Sequence, residues 1–284
     1  MKTPRRLVPA YLAAFALSIY LLPHDHAVAE TLQVNGFEMY YEIIGQGEPL
    51  VLLHAFTSTG ASWSDVSGDF AENFQLIIPD LRGHGASTNP SGQLTHRQFA
   101  LDIYGLLDHL GIEKFKAMGG SSGAMTLLHM ATQQAERIES MVLISASPYL
   151  TERDRDIKRS IDLNNVPEEQ MRQYRKIHKH GDAQIFDLLS QFKASSDIYD
   201  DMNFTTPYLS TIKSKTYIIQ GERDRYFPIN VAIEMYKAIP NSFLWIVPNG
   251  SHVPTRGGNQ EYFIETTRSF LLGEMVPRRD KTID

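Results

Sequence analysis

Gly119-Gly120-Ser121-Ser122-Gly123 sets a serine between glycines in the pattern G-x-S-x-G. The apolar run before it (Phe115, Ala117, Met118) reads as a short buried strand, and Ala124 to Met130 reads as a helix. A serine on such a tight strand-to-helix turn has its hydroxyl pushed out of the sheet. The helix N-terminus that follows lies close to any negative charge developing there. The glycines suit a strained turn in which backbones pack closely. Serine is a weak nucleophile. It needs a base within hydrogen-bond reach, and the base needs an acid that fixes its tautomer and stabilises its cation. Asp224 and His252 supply these types, each in a loop after a late strand. Glu222 is a possible stand-in for Asp224, and Ser122 is adjacent to Ser121 but does not fit the pattern. Such a set could attack a carbonyl carbon.

The elements that must position these residues alternate between apolar strands and helices. Leu32 to Ile44 reads as a hairpin turning at Asn35-Gly36. Leu50–Leu53, Gln75–Asp80, Met141–Ile144, Thr216–Ile219 and Phe243–Val247 are apolar runs expected of strands buried on both faces. Helical spacing appears over Leu94–Leu110, stopping at Gly111, then over Ile229–Ala238 and Asn259–Leu272. Between Tyr149 and Tyr208 the chain is charged and rich in helix formers, without a buried-strand run, so an insertion of two to four helices is expected there. The fold class is therefore α/β: a mostly parallel, doubly wound sheet with an inserted helical lid. The expected organisation is a core of residues 30–148 and 209–284 with a lid of residues 149–208. In such sheets ligands bind at the carboxyl ends of the strands. His54, Asp80, Ser121, Asp224 and His252 all fall there.

The chain resembles the α/β-hydrolase fold superfamily, in its cap-bearing esterase and lactonase-like branch. The matching stretches are Leu52-Leu53-His54-Ala55-Phe56, Asp80-Leu81-Arg82-Gly83-His84-Gly85, Gly119-Gly120-Ser121-Ser122-Gly123, Gly221-Glu222-Arg223-Asp224 and Gly250-Ser251-His252-Val253-Pro254. They stand in the family's order and span nearly the whole chain after residue 29. The resemblance implies that Ser121 is the nucleophile, His252 the base and Asp224 the orienting acid. It implies an oxyanion hole made by the backbone N–H groups of Phe56 and Ser122. Two positions depart from the family: Ala55 stands where glycine is usual, and Gly120 where many relatives carry His or Asn. His54 and His84 are expected to fix loops, and Asp80 and Arg82 to form a structural pair. His178 and His180 are two residues apart, which does not put them on one helix face, so a solvated lid surface is expected rather than a metal site.

Composition narrows the class further. Apolar residues make up 42% of the 284, enough for a large core, and the formal net charge of −6 comes without a Lys/Arg-rich run. Nucleic-acid binding is therefore not expected. The chain has no cysteine, which excludes disulfides, a Cys nucleophile and Cys metal ligands. Lys2, Arg5 and Arg6, then the apolar Leu7–Leu22, then Ala27-Val28-Ala29 form the layout of a secretory signal peptide over residues 1–29. The alternative is an uncleaved anchor, disfavoured by the short stretch and by Pro9. The expected product is a periplasmic or secreted protein without stable membrane association after cleavage. The expected activity is cleavage of a carboxylic ester or lactone through an acyl-enzyme, with no metal or organic cofactor. The same triad could serve an aminopeptidase, a carbon–carbon bond hydrolase or a perhydrolase, and the scaffold could serve a non-catalytic ligand-binding protein. Trp63, Tyr149, Phe192 and Phe227 are the candidate substrate-binding residues, suggesting an apolar acyl or alcohol group.

Overall fold

Asn35 and Gly36 both adopt positive φ (45° and 80°), the two-residue turn that closes a hairpin between β1 (Val28–Val34) and β2 (Phe37–Ile44). The computed structural model describes residues 28–89 and 94–275. Of the expected signal segment, residues 1–27 lie outside the described residues, and Val28 and Ala29 begin β1. Six further strands follow: β3 (Glu48–Leu53), β4 (Phe74–Pro79), β5 (Phe115–Gly120), β6 (Ile138–Ile144), β7 (Lys215–Gly221) and β8 (Ser242–Val247). The sheet order is β1-β2-β4-β3-β5-β6-β7-β8. β1 and β2 are antiparallel, β2 joins β4 antiparallel, and all other neighbours are parallel.

The unbroken apolar runs are explained by two covered faces. In β3, Val51 and Leu53 join the core under α2 (His96–His109), α3 (Ser122–Gln133) and α8 (Ile229–Ala238). Leu50 and Leu52 join the core under α1 (Ser64–Ala71) and α9 (Gln260–Leu271). The α1 helix, entered by a 3-10 turn at Gly60–Trp63, carries little apolar periodicity; Val66 and Phe70 packing against the sheet hold it. Among the described residues, no helix is long and apolar enough to cross a membrane.

Between β6 and β7 the chain forms α4 (Glu152–Arg159), α5 (Glu168–Ile177), α6 (Gly181–Ala194) and the short α7 (Thr206–Leu209). Met171, Ile185 and Leu189 form a small core of their own. Met202, Phe204 and Leu209 already belong to the main core, so the chain returns to it before β7. The order of strands reverses at β3 and β5: β4 lies on one side, β6 to β8 on the other. Such a switch point leaves a crevice at the strand ends. Ser121 follows β5 at that crevice.

Candidate active site

Ser121 has φ 50° and ψ −113°, a conformation that a non-glycine residue adopts only when its surroundings enforce it. Its N–H donates to Ile144 O at the end of β6 (2.8 Å), and its own carbonyl accepts from Met125 N in the first turn of α3. Gly119 and Gly123 are needed for backbone packing. A Cβ on Gly119 would stand 2.6 Å from Ala124 N, and one on Gly123 would stand 2.2 Å from Leu53 O. At Gly120 a Cβ would meet nothing within 4 Å.

The turn aims Ser121 Oγ at His252 Nε2, 2.9 Å away. On the far side of the imidazole, Nδ1 lies 2.7 Å from Asp224 Oδ2. Asp224 is fully enclosed and accepts from three further donors: Gln220 Nε2 (2.9 Å), Tyr226 N (2.8 Å) and Phe227 N (3.2 Å). Burial pushes the Asp224 carboxyl up, but the His252 contact and the two backbone N–H groups outweigh it and hold the group below its ordinary value. An anionic Asp224 requires Nδ1 of His252 to carry the hydrogen, which leaves Nε2 free to accept from the serine hydroxyl. The Tyr226 ring lies 4.6 Å from that of His252 and the Phe227 ring 5.6 Å, flanking the imidazole. Glu222 does not reach His252; its Oε2 accepts from Asn249 N.

Phe56 and Ser122, the two expected oxyanion-hole residues, lie beside Ser121 at the ends of β3 and β5. Ser122 opens α3, where the first N–H groups have no partner within the helix. Among the described residues Phe56 N donates to no backbone group. Phe56, Ser122, Ser121 and His252 line one cavity of about 460 Å³. Ala55 is accommodated because the left-handed residue of this loop is Thr57 (φ 60°), not position 55.

Phe192 and Phe227 also line this cavity, and Phe192 stacks on Phe56 with ring centres 5.0 Å apart. Of the other two expected substrate residues, Trp63 lines a second cleft that also borders Ser121 and His252, whereas Tyr149 lines neither cavity; its hydroxyl donates to Glu234 Oε2. The roof is more polar than the aromatic residues alone suggest. Asp154 and Lys158 of α4, both buried, face each other at 3.0 Å there, with the ammonium 5.0 Å from the Phe192 ring centre. The other acidic groups of these helices are turned to the surface: Glu152 pairs with Arg159, Glu168 with Arg175 and Glu169 with Arg172.

Asp80 and Arg82 do not pair with each other. Asp80 accepts from Gly60 N (2.7 Å) and Ala86 N (2.8 Å), tying two loops, whereas Arg82 makes a two-pronged contact with buried Asp102. His54 accepts from Leu81 N through Nε2 and donates to Ala55 O through Nδ1; burial lowers its pKa and keeps it neutral. His178 is buried rather than solvated. It accepts from Gly85 N at 3.0 Å, while Lys179 N donates to Gly85 O and Gln184 Nε2 donates to Gly83 O and Gly85 O. The inserted helices are thus clamped to the loop after β4. Gln220 and Lys158 escaped the sequence reading. Gln220 is a polar residue ending an apolar strand, which is the one signal that could have marked it.

Comparison with known proteins bears on the same region. Residues 48–196 match the family model described as alpha/beta hydrolase fold. A soluble epoxide hydrolase of Corynebacterium sp. (strain C12) is 34% identical over 117 residues; the match spans 41% of each chain, so less than half of that relative's length is covered. The mouse serine hydrolase BPHL is 27% identical over 238 residues, 77% of this chain and 78% of that one. The enol-lactonase from Burkholderia xenovorans LB400 superimposes with a TM-score of 0.70 at 22% identity, over 86% of this chain and 100% of that one. At that identity the superposition shows a shared fold.

Proposed function

Since this chain belongs to the α/β-hydrolase fold family, we propose that it is a serine hydrolase that cleaves a carboxylic ester or lactone with Ser121, His252 and Asp224. The observation that carries the reading is the unbroken contact line Ser121 Oγ–His252 Nε2 (2.9 Å) and His252 Nδ1–Asp224 Oδ2 (2.7 Å). Ser121 Oγ attacks the carbonyl carbon as His252 Nε2 takes its proton. The oxyanion forms beside Phe56 N and Ser122 N, at the N-terminus of α3, where fixed donors favour negative charge. His252 returns the proton to the leaving oxygen, and an ester of Ser121 with the acyl group remains. Water, deprotonated by the same histidine, then releases the acid. A lactone follows the same course, its leaving alcohol staying joined to the acyl chain. The inserted helices act as a lid over the 460 Å³ cavity. The peptidase alternative asks for a free carboxylate to receive an amine. Asp154 faces the cavity but is already matched by Lys158, which favours the ester reading.

Export forms part of this proposal, resting on residues 1–29 alone. N-terminal sequencing of protein recovered from the periplasm or medium of an expressing bacterium tests it, with Glu30 as the expected first residue. The triad is tested by labelling with a fluorophosphonate and mapping the adduct by mass spectrometry. Label on Ser121 that disappears in His252→Ala is expected, together with turnover of p-nitrophenyl esters or a simple lactone. A folded protein without label would overturn the reading.

A further inference from the structure

We propose that the cleft behind the Ser121–His252 pair, left open by Gly120, receives one arm of the substrate as a compact apolar group. The inference deepens the proposed function and rests on it. The two cavities meet at the candidate triad. Both are bounded by Ala55, Ser121 and His252, but their other walls differ. The larger runs under the inserted helices. The smaller, about 270 Å³, is lined mostly by apolar surface from Trp63, Val66, Ile144 and Phe263, with the polar Asp65 and Arg256 also in its wall. Trp63, Val66, Ile144 and Phe263 all belong to the core on the α1 and α9 face of the sheet, away from the roof of the larger cavity.

Gly120 is the residue that makes this space. Its neighbours Gly119 and Gly123 have backbone atoms where a Cβ would go, but Gly120 has none within 4 Å. Its φ also lies outside the left-handed range. Neither conformation nor backbone packing therefore demands glycine at 120. Gly120 lines only the smaller cleft, so a side chain there would occupy that cleft. An apolar cavity of about 150 Å³ accepts a benzene ring. The volume at Gly120 therefore suits a phenyl or short branched alkyl group. The larger cavity, roofed by Asp154 and Lys158, suits the longer and more polar arm. With the carbonyl over Ser121, the scissile bond lies at the junction of the two.

The test compares Ser121 labelling rates for two phosphonofluoridates that differ in one arm, methyl against benzyl, in the wild type, Gly120→Ala and Gly120→Leu. The benzyl-to-methyl rate ratio should fall at least tenfold in Gly120→Leu and by less in Gly120→Ala, which also serves if the leucine variant does not fold. A ratio within twofold of wild type in both variants overturns the inference. If neither probe labels Ser121, the serine-hydrolase reading has failed. The cleft is then read by saturation-transfer NMR with benzyl alcohol: binding kept in Ser121→Ala and lost in Gly120→Leu supports it, and equal binding in both overturns it. Hydrolysis of phenyl acetate against methyl phenylacetate identifies the arm. A Gly120→Leu loss confined to the first assigns the cleft to the leaving group, one confined to the second assigns it to the acyl group, and a loss in neither overturns the inference.

Discussion

Gln220 Nε2 donates to the same Asp224 oxygen that receives His252 Nδ1, at 2.9 and 2.7 Å, and it also donates to Phe227 O. One buried amide thus fixes the carboxylate and the loop that carries it. Gln220→Leu should slow ester turnover roughly tenfold through kcat with KM little changed, because it disturbs the aim of His252 and leaves the pocket intact. It should also lower stability by about 1–3 kcal/mol, the cost of stranding buried polar partners. Steady-state kinetics beside urea unfolding checks both. An unchanged kcat would make Gln220 a purely structural residue.

Asp224→Asn separates geometry from charge. The amide keeps the size of the carboxylate, but it can turn its NH₂ toward His252 Nδ1 and place the imidazole hydrogen on Nε2, the atom that must accept from Ser121. Turnover should fall by about 10³–10⁴-fold with the fold intact. Comparing kcat with the circular dichroism spectrum and melting temperature decides it. A loss below tenfold would argue against a triad at this site.

Most of the sheet and the line of contacts through Ser121 were legible because both depend on local patterns. Strands buried on two faces leave continuous apolar runs, as in Leu50–Leu53, and the serine turn is written in glycines whose missing Cβ atoms the backbone enforces. The pocket was not legible in the same way. Trp63 and Phe192 are both aromatic, yet they line different cavities: Trp63 packs with Val66 of α1 on one face of the sheet, whereas Phe192 sits on α6 of the inserted helices. His178 reads as a surface residue in a charged stretch, and its burial depends on Gly85, 93 positions away. Asp80 and Arg82 stand two positions apart in one motif, but each finds its partner in a different part of the chain.

The Asp154–Lys158 pair is predicted to respond asymmetrically to mutation. Burial lowers the Lys158 pKa while Asp154 supports the charged form, so each group depends on the other. Lys158→Met leaves a carboxylate buried in the cavity roof and should cost about 3–5 kcal/mol, whereas Asp154→Leu combined with Lys158→Met should recover most of the loss. Urea unfolding of the single and double variants provides the measurement. A single variant as stable as wild type would mean that water solvates Asp154 in the cavity.

Burial lowers the pKa of four histidines, His54, His84, His129 and His178, and so makes the fold sensitive to acid. Burial lowers His129 and His178 from 6.5 to about 4, and in each case that effect exceeds the opposing pull: Asp201 for His129, the Thr57 backbone and then Asp80 for His178. His96 and Arg97 beside His129, and His54 and Lys179 beside His178, reinforce it. Between pH 4 and 6.5 the unfolded chain binds protons at these sites that the folded chain refuses. Stability therefore rises with pH across that window and is fully present above it. For His129 the swing amounts to roughly 3 kcal/mol at most. The melting temperature should fall progressively from pH 6.5 to pH 4. His178→Gln, whose side-chain carbonyl can still accept from Gly85 N, should flatten part of that slope and leave the neutral-pH value near wild type. Melting curves at half-unit pH steps make the comparison. A wild-type profile flat down to pH 4.5 would show that these imidazoles are protonated in the folded protein at no cost.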